Sequence, residues 1–208
     1  MDKNLLIYGA GGFGKEVYSL LNNGVERFNI IGFIDDYSRL ENLFNIPIKS
    51  STFINEYFIV AIANSNHKKH IMIKNEKFVY PLPIIHKGVN LNDSIKIDSS
   101  SIICDGVKLT VDINIGKMVI LNLNATVGHD CLIADFCSIM PGANISGNVK
   151  IGEGTLIGSG AIVLPNITIG KWCKIGAGAV VTKNIPDYAT VVGVPGKIIK
   201  IENNTINE

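Results

Sequence analysis

The chain has 208 residues, of which 47% are apolar and 18% are charged, a composition that suits two small globular domains and excludes an intrinsically disordered protein. The 19 Lys and Arg residues nearly cancel the 18 Asp and Glu residues, so no nucleic-acid partner is expected. No apolar run approaches the roughly 18 to 20 residues that cross a bilayer, and the N-terminal apolar stretch is too short for an export signal. We therefore expect a cytoplasmic protein with no membrane partner.

The N-terminal part of the chain alternates between short apolar segments and helix-like segments. This alternation predicts a Rossmann-like β-α-β-α-β domain. The predicted strands are Leu5–Tyr8, Ile30–Ile34 and Tyr57–Ile62, and the predicted helices are Lys15–Leu21 and a segment within 65–75.

A glycine-rich turn, Gly9–Gly14, joins the first predicted strand to the first helix, and Asp35 and Asp36 end the second strand. Such a turn presents backbone N–H groups and a positive helix end to a phosphate, and a carboxylate after the second strand can bind a ribose or a base. Both features predict a nucleotide site. A nucleotide diphosphate sugar is favoured over NAD, because about 80 residues provide one mononucleotide-binding half where a dinucleotide usually needs two. A vestigial pocket is the remaining alternative.

Two prolines, Pro81 and Pro83, mark the boundary between this domain, residues 1–82, and a second domain, residues 83–208. Proline suits such a boundary because it restrains its neighbours and donates no backbone hydrogen bond.

The second domain repeats every six residues. From Ile85 to Val181 every sixth residue, 17 in all, is Ile, Leu or Val, and from Ser101 onward a small or β-branched residue stands four positions after each of them. This period predicts a parallel β-helix of hexapeptide repeats with both registers pointing inward. Three hexads form one coil, so residues that lie three hexads apart stack on one another.

Glycine often follows the aliphatic residue of a hexad. We expect these glycines to form the turns, with backbone dihedrals that a Cβ would penalise. They are Gly116, Gly128, Gly152, Gly158, Gly170 and Gly176.

Three of the four cysteines, Cys131, Cys137 and Cys173, fall in the small inward register. We therefore expect them to be core residues. No two cysteines form a C-x-x-C pair, which excludes zinc-ribbon and thioredoxin-like sites.

One histidine, His129, is placed to act on a ligand. It follows the inward Val127 by two residues, so it should project from a corner of a coil, with Asp130 beside it. A carboxylate can orient the ring and leave its other nitrogen free to accept a proton. The residue one coil away is Gly147, which leaves space beside the ring. A catalytic base is favoured over a solvated surface histidine, and a three-histidine zinc site is hard to build within one chain, so no metal is expected.

Several motifs together resemble the bacterial nucleotide-amino-sugar N-acetyltransferases, which are grouped with sialic-acid O-acetyltransferase-like proteins. The resemblance covers nearly the whole chain. The motifs are Tyr8–Gly14, Phe33–Asp36, Ala61–Asn64, Gly128–Cys131, Ser146–Gly152 and Val192–Lys197.

The resemblance implies a left-handed β-helix, a homotrimer with sites between subunits, and acetyl-CoA as co-substrate. It implies His129 as general base, supported by Asp130, with the Gly147 N–H binding the thioester oxygen. Asn122 would touch the sugar of a UDP- or dTDP-linked 4-amino-4,6-dideoxy sugar. The implied cofactor groove is lined by Ser138, Gly147, Ser159 and Ala177, and the implied nucleotide site consists of Gly11, Gly12, Phe13, Asp35, Asp36, Ala63 and Asn64.

The sequence departs from the family at Phe13 and Ser138, where some relatives carry histidine. Phe13 changes what the loop offers to the sugar or phosphate, Ser138 removes an imidazole near the cofactor, and neither departure touches His129. Three other functions stay open: O-acetylation of a sialic acid or another sugar hydroxyl, a non-catalytic β-helix that binds a nucleotide sugar or scaffolds an assembly, and an NAD-sensing domain.

Overall fold

The structure is a computed structural model that describes residues 3–22, 28–51, 56–78 and 82–202. No helix within these ranges is long and apolar enough to cross a bilayer. Pro81, one of the two predicted boundary prolines, lies outside the described residues.

The N-terminal domain has a five-stranded sheet in the order β3-β4-β2-β1-β5. Strand β1 lies inside the sheet and pairs in parallel with both β2 and β5. The elements are β1 (Lys3–Tyr8), α1 (Gly12–Asn22), β2 (Phe28–Ile34), β3 (Asn42–Leu43), β4 (Ile46–Lys49), β5 (Phe58–Val60), α2 (Ser65–Asn75) and a 3-10 turn, Glu76–Phe78.

The predicted strands and helices of this domain are confirmed, and the hairpin of β3 and β4 was missed. Its two turn residues, Phe44 and Asn45, have φ values of 53° and 61°. Two-residue hairpin turns of this kind usually carry Asn-Gly or Asp-Gly. A phenylalanine in the turn therefore gave no sequence signal.

The second domain is a parallel β-helix, as the hexads predict. In chain order its strands are β6 (Ile84–Ile85), β7 (Lys96–Ile97), β8 (Ile102–Ile103), β9 (Lys108–Leu109), β10 (Asn114–Ile115), β11 (Ile120–Leu121), β12 (Thr126–Val127), β13 (Leu132–Ile133), β14 (Ser138–Ile139), β15 (Asn144–Ile145), β16 (Lys150–Ile151), β17 (Leu156–Ile157), β18 (Ile162–Val163), β19 (Thr168–Ile169), β20 (Lys174–Ile175), β21 (Val180–Val181), β22 (Ala189–Val192) and β23 (Lys197–Ile201).

These strands form three flat faces. Face 1 contains β6, β8, β11, β14, β17, β20 and β22, and β23 closes it as an antiparallel edge. Face 2 contains β7, β10, β13, β16 and β19, and face 3 contains β9, β12, β15, β18 and β21. Ile120 pairs with Ile102 in the coil before it and with Ser138 in the coil after it, so each coil has the length of three hexads that the sequence predicts.

Both inward registers form one continuous core. The small register is buried along its whole length, including Cys131, Cys137 and Cys173. Burial raises the pKa of the Cys137 thiol to about 12, so this thiol is a core group without nucleophilic character at neutral pH. Leu91 is an exception to the aliphatic register: it is 47% exposed, because it lies in the first coil, at the open end of the β-helix.

The predicted reason for the repeat glycines is wrong. Gly152 lacks the positive φ that would require glycine, but a Cβ there would lie 2.6 Å from backbone atoms of Gly170 and Lys171 in the next coil. These glycines are therefore required by the close approach of neighbouring coils. The positive φ occurs two residues later, at corner positions such as Asn148 and Gly160.

One corner of the β-helix, between faces 2 and 1, carries bulky side chains at these positive-φ positions. Met118, Phe136 and Trp172 have φ values of 49°, 62° and 55°, a conformation that costs such residues roughly 1 to 2 kcal/mol each. Met118 and Phe136 are buried against residues of the N-terminal domain that include Phe58 and Ile71. Packing of the two domains offsets the backbone cost at this corner.

Face 1 completes the contact between the domains. Its outward side chains Ile84, Ile102 and Ile120 are buried in a cluster with Leu5 and Phe33 of the N-terminal sheet. The N-terminal domain therefore covers face 1 and the adjoining corner of its own chain.

Two glycine substitutions test the close-approach account. We expect Gly152→Ala to lower the free energy of unfolding by about 1 to 3 kcal/mol, because the new Cβ meets the next coil. Gly160→Asn is the matched control: a Cβ there meets nothing within 4 Å, and Asn already occupies this corner conformation at Asn148. Equilibrium denaturation of both variants measures the difference, and equal stabilities would contradict the account.

Candidate functional site

The predicted nucleotide residues lie along one edge of the N-terminal sheet. Because β2, β1 and β5 are parallel neighbours, the segments that follow them lie side by side. These segments are Gly9–Gly14, Asp35–Asp36 and Ala63–Asn64. Ligands of parallel α/β sheets bind beyond such carboxyl ends.

The four glycines of the first turn have two different roles. Gly9 has a φ of 109°, and a Cβ there would lie 2.8 Å from the carbonyl oxygen of Ala61, while a Cβ on Gly14 would overlap the carbonyl oxygen of Gly9. These two glycines build the turn. At Gly11 and Gly12 a Cβ would meet nothing within 4 Å, so no protein contact requires glycine, and the space at the start of α1 is open to a ligand.

The two carboxylates after β2 organise the surrounding loops. Asp35 accepts hydrogen bonds from the backbone N–H of Ala10 at 2.9 Å and of Tyr37 at 3.0 Å. Asp36 is exposed, and hydrogen bonds from Ser51 hold its pKa below the usual value. The Asp35 carboxylate thereby ties the glycine-rich turn to the second strand, a role that sequence analysis did not predict.

The remaining residues of this edge also have structural roles. The Asn64 side chain caps α2 by accepting a hydrogen bond from the His67 N–H at 3.0 Å. Phe13 is half-buried and packs against the cluster that contains Leu5 and Phe33. The side chains of both residues are therefore partly committed to the fold.

Ser138 is not available to a cofactor in this arrangement, which corrects the prediction for that residue. It is fully buried under the N-terminal domain. Its hydroxyl donates to the carbonyl oxygen of Ala63 at 2.8 Å and accepts from the Lys68 ammonium at 2.8 Å. Sequence periodicity showed that Ser138 points outward but could not show that its face is covered.

The imidazole of His129 projects from the corner between faces 3 and 2 and is 62% exposed. Its Nδ1 lies 2.7 Å from Oδ2 of Asp130. When the Nδ1–H group donates its hydrogen bond to the carboxylate, Nε2 carries the lone pair and can take a proton from a substrate. The structure therefore brings the two predicted catalytic residues, His129 and Asp130, into direct contact.

Gly147 lies directly beside this ring. A Cβ on Gly147 would overlap Nε2 of His129 and approach Cε1 to 2.6 Å. Within the described residues, the Gly147 N–H has no hydrogen-bond acceptor. The corner thus combines a proton acceptor, an unpaired donor and space for a ligand, as the coil spacing predicts.

The other candidate residues lie on different sides of the β-helix. Ser159 and Ala177 are exposed and stack one coil apart on the corner between faces 1 and 3. Asn122 follows β11 on face 1 and is buried, and its side-chain oxygen accepts from the Leu123 N–H at 2.7 Å. A single chain therefore does not bring Asn122 to its own His129.

The separation follows from the triangular cross-section. The N-terminal domain covers face 1, and His129 stands on the corner that faces 2 and 3 share, which is opposite face 1. The edge of the N-terminal sheet that carries the predicted nucleotide residues is called the nucleotide edge below. In one chain this edge and the His129 imidazole thus lie on opposite sides of the β-helix.

Sequence analysis missed Lys68, whose ammonium is fully buried between the domains. The charge pattern gave no hint, because α2 is polar along most of its length. One sequence signal did indicate a covered corner. Met118, Phe136 and Trp172 occupy corner positions that at the other corners hold Asp, Asn or Gly. Among the described residues, no group of three His, Cys, Asp or Glu side chains could hold a metal ion.

Comparisons with known proteins match both domains. Residues 4–74 match the PglD N-terminal domain family, and residues 148–183 match the bacterial transferase hexapeptide family. The GDP-perosamine N-acetyltransferase of Escherichia coli O157:H7 is 32% identical over 160 residues, which cover 70% of this chain and 71% of that protein.

Two solved structures resemble the whole chain. The acetyltransferase domain of PglB from Neisseria gonorrhoeae FA1090, in complex with acetyl coenzyme A, is 31% identical with a TM-score of 0.88, over 96% of this chain and 100% of that one. A histidine-to-asparagine mutant of perosamine N-acetyltransferase from Caulobacter crescentus, in complex with CoA and GDP-perosamine, is 26% identical with a TM-score of 0.86, over 95% of this chain and 97% of that one.

Substitutions in the glycine-rich turn separate its two roles. We expect Gly12→Val to keep the fold, because its Cβ meets no atom within 4 Å, and to lose nucleoside diphosphate binding, because the side chain fills the space at the start of α1. Gly14→Ala should instead lower the free energy of unfolding by about 1 to 3 kcal/mol through overlap with Gly9. Denaturation and calorimetric titration with UDP, dTDP and GDP measure both effects, and unchanged nucleotide binding by Gly12→Val would place the ligand elsewhere.

Proposed function

Because the chain belongs to the hexapeptide-repeat N-acetyltransferases of nucleotide-linked amino sugars, enzymes that use acetyl-CoA, we propose that it acetylates the amine of a nucleotide-linked 4-amino-4,6-dideoxy sugar with His129 as general base. The observation that carries this assignment is the His129 imidazole, held by Asp130 at 2.7 Å and placed beside Gly147.

The proposed reaction needs a proton acceptor for the amine and a hydrogen-bond donor for the thioester oxygen. The sugar amine attacks the thioester carbonyl carbon of acetyl-CoA while Nε2 of His129 accepts a proton from that amine. The Gly147 N–H stabilises the developing oxyanion. Collapse of the tetrahedral intermediate breaks the carbon–sulfur bond, and the imidazolium returns its proton to the CoA thiolate. The products are the N-acetyl sugar and free CoA.

Each group contributes in a different way. A positioned general base accelerates such transfers by about 10² to 10⁴, and one oxyanion donor contributes about 3 to 4 kcal/mol. Asp130 acts through His129, because it fixes the tautomer and the orientation of the ring. No acyl-enzyme is needed, which agrees with Cys131 being buried in the core.

The identities of the nucleotide and of the sugar are proposed from the relatives of this chain. We propose UDP or dTDP from the family resemblance, with acetyl transfer to an amine at C4 of the sugar. The relatives from Escherichia coli and Caulobacter crescentus are named for GDP-perosamine, which adds GDP as a third candidate. Gly11, Gly12, Phe13, Asp35, Asp36, Ala63 and Asn64 would hold the nucleotide, and Asn122 would contact the sugar.

We further propose a homotrimer whose sites each use two chains. The opposition of His129 to the covered face supports this arrangement, since the nucleotide edge of one chain can reach only the histidine of another. Acetyl-CoA would lie in the groove between β-helices, against Gly147 of one chain and against the exposed Ser159 and Ala177 of its neighbour. Cytoplasmic residence remains our expectation.

A CoA-release assay tests the reaction. With acetyl-CoA and UDP-, dTDP- or GDP-linked 4-amino-4,6-dideoxy sugars, we expect turnover with one nucleotide and a loss of about 10² to 10⁴ in kcat for His129→Ala. His86→Ala is the matched control, because Nδ1 of His86 on the first coil lies 2.9 Å from Oδ1 of Asp105 on the second coil, and this variant should retain activity. Turnover only with a hydroxyl analogue would favour O-acetylation, and full activity of His129→Ala would reject the base.

Complementation between chains tests the shared site. We expect trimers made only of Gly12→Val chains, or only of His129→Ala chains, to be inactive. Mixed trimers of the two variants can be purified through two different tags. If each site takes its histidine from one chain and its nucleotide edge from the next, every mixed trimer keeps one intact site and about one third of the wild-type activity. A site built within one chain would show no recovery on mixing.

A further inference from the structure

A buried cation joins the two domains beside the proposed nucleotide edge. Lys68, on α2, is fully buried. Its ammonium donates to the carbonyl oxygens of Met118 and Cys137, both at 2.9 Å, and to the hydroxyl of Ser138 at 2.8 Å. All three acceptors belong to the β-helix.

The hydrogen bonds account for all three protons of the charged side chain. Ser138 donates its own proton to Ala63 at 2.8 Å, so its oxygen accepts from Lys68. Burial lowers the pKa of Lys68 to about 7, and within the described residues no carboxylate pairs with it. A buried charge without an opposite charge is costly, and replacement of buried ionic groups by apolar ones is often stabilising.

The chain of contacts ends at the nucleotide edge. The Ala63 carbonyl that accepts from Ser138 lies between β5 and Asn64, which caps α2. The backbone N–H of Lys68 also donates to the carbonyl oxygen of Asn64 at 3.0 Å. The Ser138 hydroxyl thus holds the Ala63 carbonyl, and the Lys68 backbone holds the Asn64 carbonyl. Because the Lys68 ammonium also binds Ser138, these bonds fix the Ala63–Asn64 segment against face 1.

We propose that Lys68 and Ser138 are positioning residues that hold the Ala63–Asn64 segment at the height on the β-helix where it binds the nucleotide of the sugar substrate. This inference rests on the proposed function, because that function assigns the segment to the nucleotide. It gives the buried Lys68 ammonium a functional role beyond its contribution to the contact between the two domains.

The test uses Ser138→Ala, because Lys68→Met removes one hydrogen bond from each of three buried oxygens at once and endangers folding. Loss of the hydroxyl releases the Ala63 carbonyl but leaves Lys68 two backbone partners. We expect the affinity for the preferred nucleoside diphosphate, measured by titration calorimetry without acetyl-CoA, to fall about fivefold or more. The KM for the nucleotide sugar should rise by a similar factor, while kcat and the KM for acetyl-CoA stay within about twofold.

Lys69→Met is the matched control on the same helix. Lys69 also joins α2 to the β-helix, through Glu153 at 2.8 Å and the ring of Trp172 at 5.2 Å, but it does not contact the Ala63–Asn64 segment through these bonds. Its nucleotide affinity should match the wild type.

Wild-type nucleotide affinity in Ser138→Ala would overturn the inference. An equal loss in both variants would also overturn it, because the effect would then reflect helix docking in general. Nucleotide binding by the wild type without acetyl transfer to any amino sugar would contradict the proposed reaction alone and leave the positioning test valid.

Discussion

The backbone hydrogen bonds between successive coils determine where every outward side chain of the β-helix lies. The Thr126 N–H donates to Ala143 at 2.9 Å, and the Gly128 N–H donates to Ile145 at 2.8 Å, a pattern that recurs around the coil. Because the ladder holds neighbouring coils so close, positions such as Gly152 exclude a Cβ. The same ladder places Gly147 beside His129, so one constraint produces both the core and the candidate site.

The three sides of the β-helix have different chemistry because only one of them meets the N-terminal domain. Face 1 carries Ile84, Ile102 and Ile120, which the N-terminal sheet buries. At the adjoining corner, Met118 and Phe136 adopt strained backbone conformations, and their apolar contacts with the N-terminal domain offset the cost. The opposite corner, where His129 stands, is not covered by any described part of its own chain and presents its polar groups outward. Docking of the first domain thus decides which surfaces remain for ligands and for other chains.

Much of this architecture could be predicted from the sequence because the hexad period is regular over many coils. Counting three hexads along the chain placed Gly147 beside His129, and the small register placed Cys137 inside, as the structure confirms. The same counting could not identify the buried side of Ser138, because period and register separate inward from outward but do not say which outward face a second domain covers. Lys68 was missed for a related reason: two of its three acceptors are backbone carbonyls, which leave no mark in the sequence.

The glycine-rich turn is a second case in which the sequence identifies a motif but not the role of each of its residues. Four glycines predict a phosphate-binding loop, yet only the geometry separates Gly9 and Gly14, which the backbone requires, from Gly11 and Gly12, which it does not. Likewise, the sequence predicts Asp35 for the nucleotide site, and only the geometry shows that its carboxylate also joins the turn to β2 through Ala10.

The coil of three faces also limits how such a chain can change in length during evolution. An insertion of one hexad would move every later residue to the next face, so that side chains made for face 1 would appear on face 3 and the register with the first domain would be lost. An insertion of a whole coil would preserve every face and shift the later residues along the axis by one strand spacing, about 4.8 Å. Between the docking corner and the C-terminal hairpin, viable length variants should therefore differ by whole coils or by loops that leave the coil at a corner.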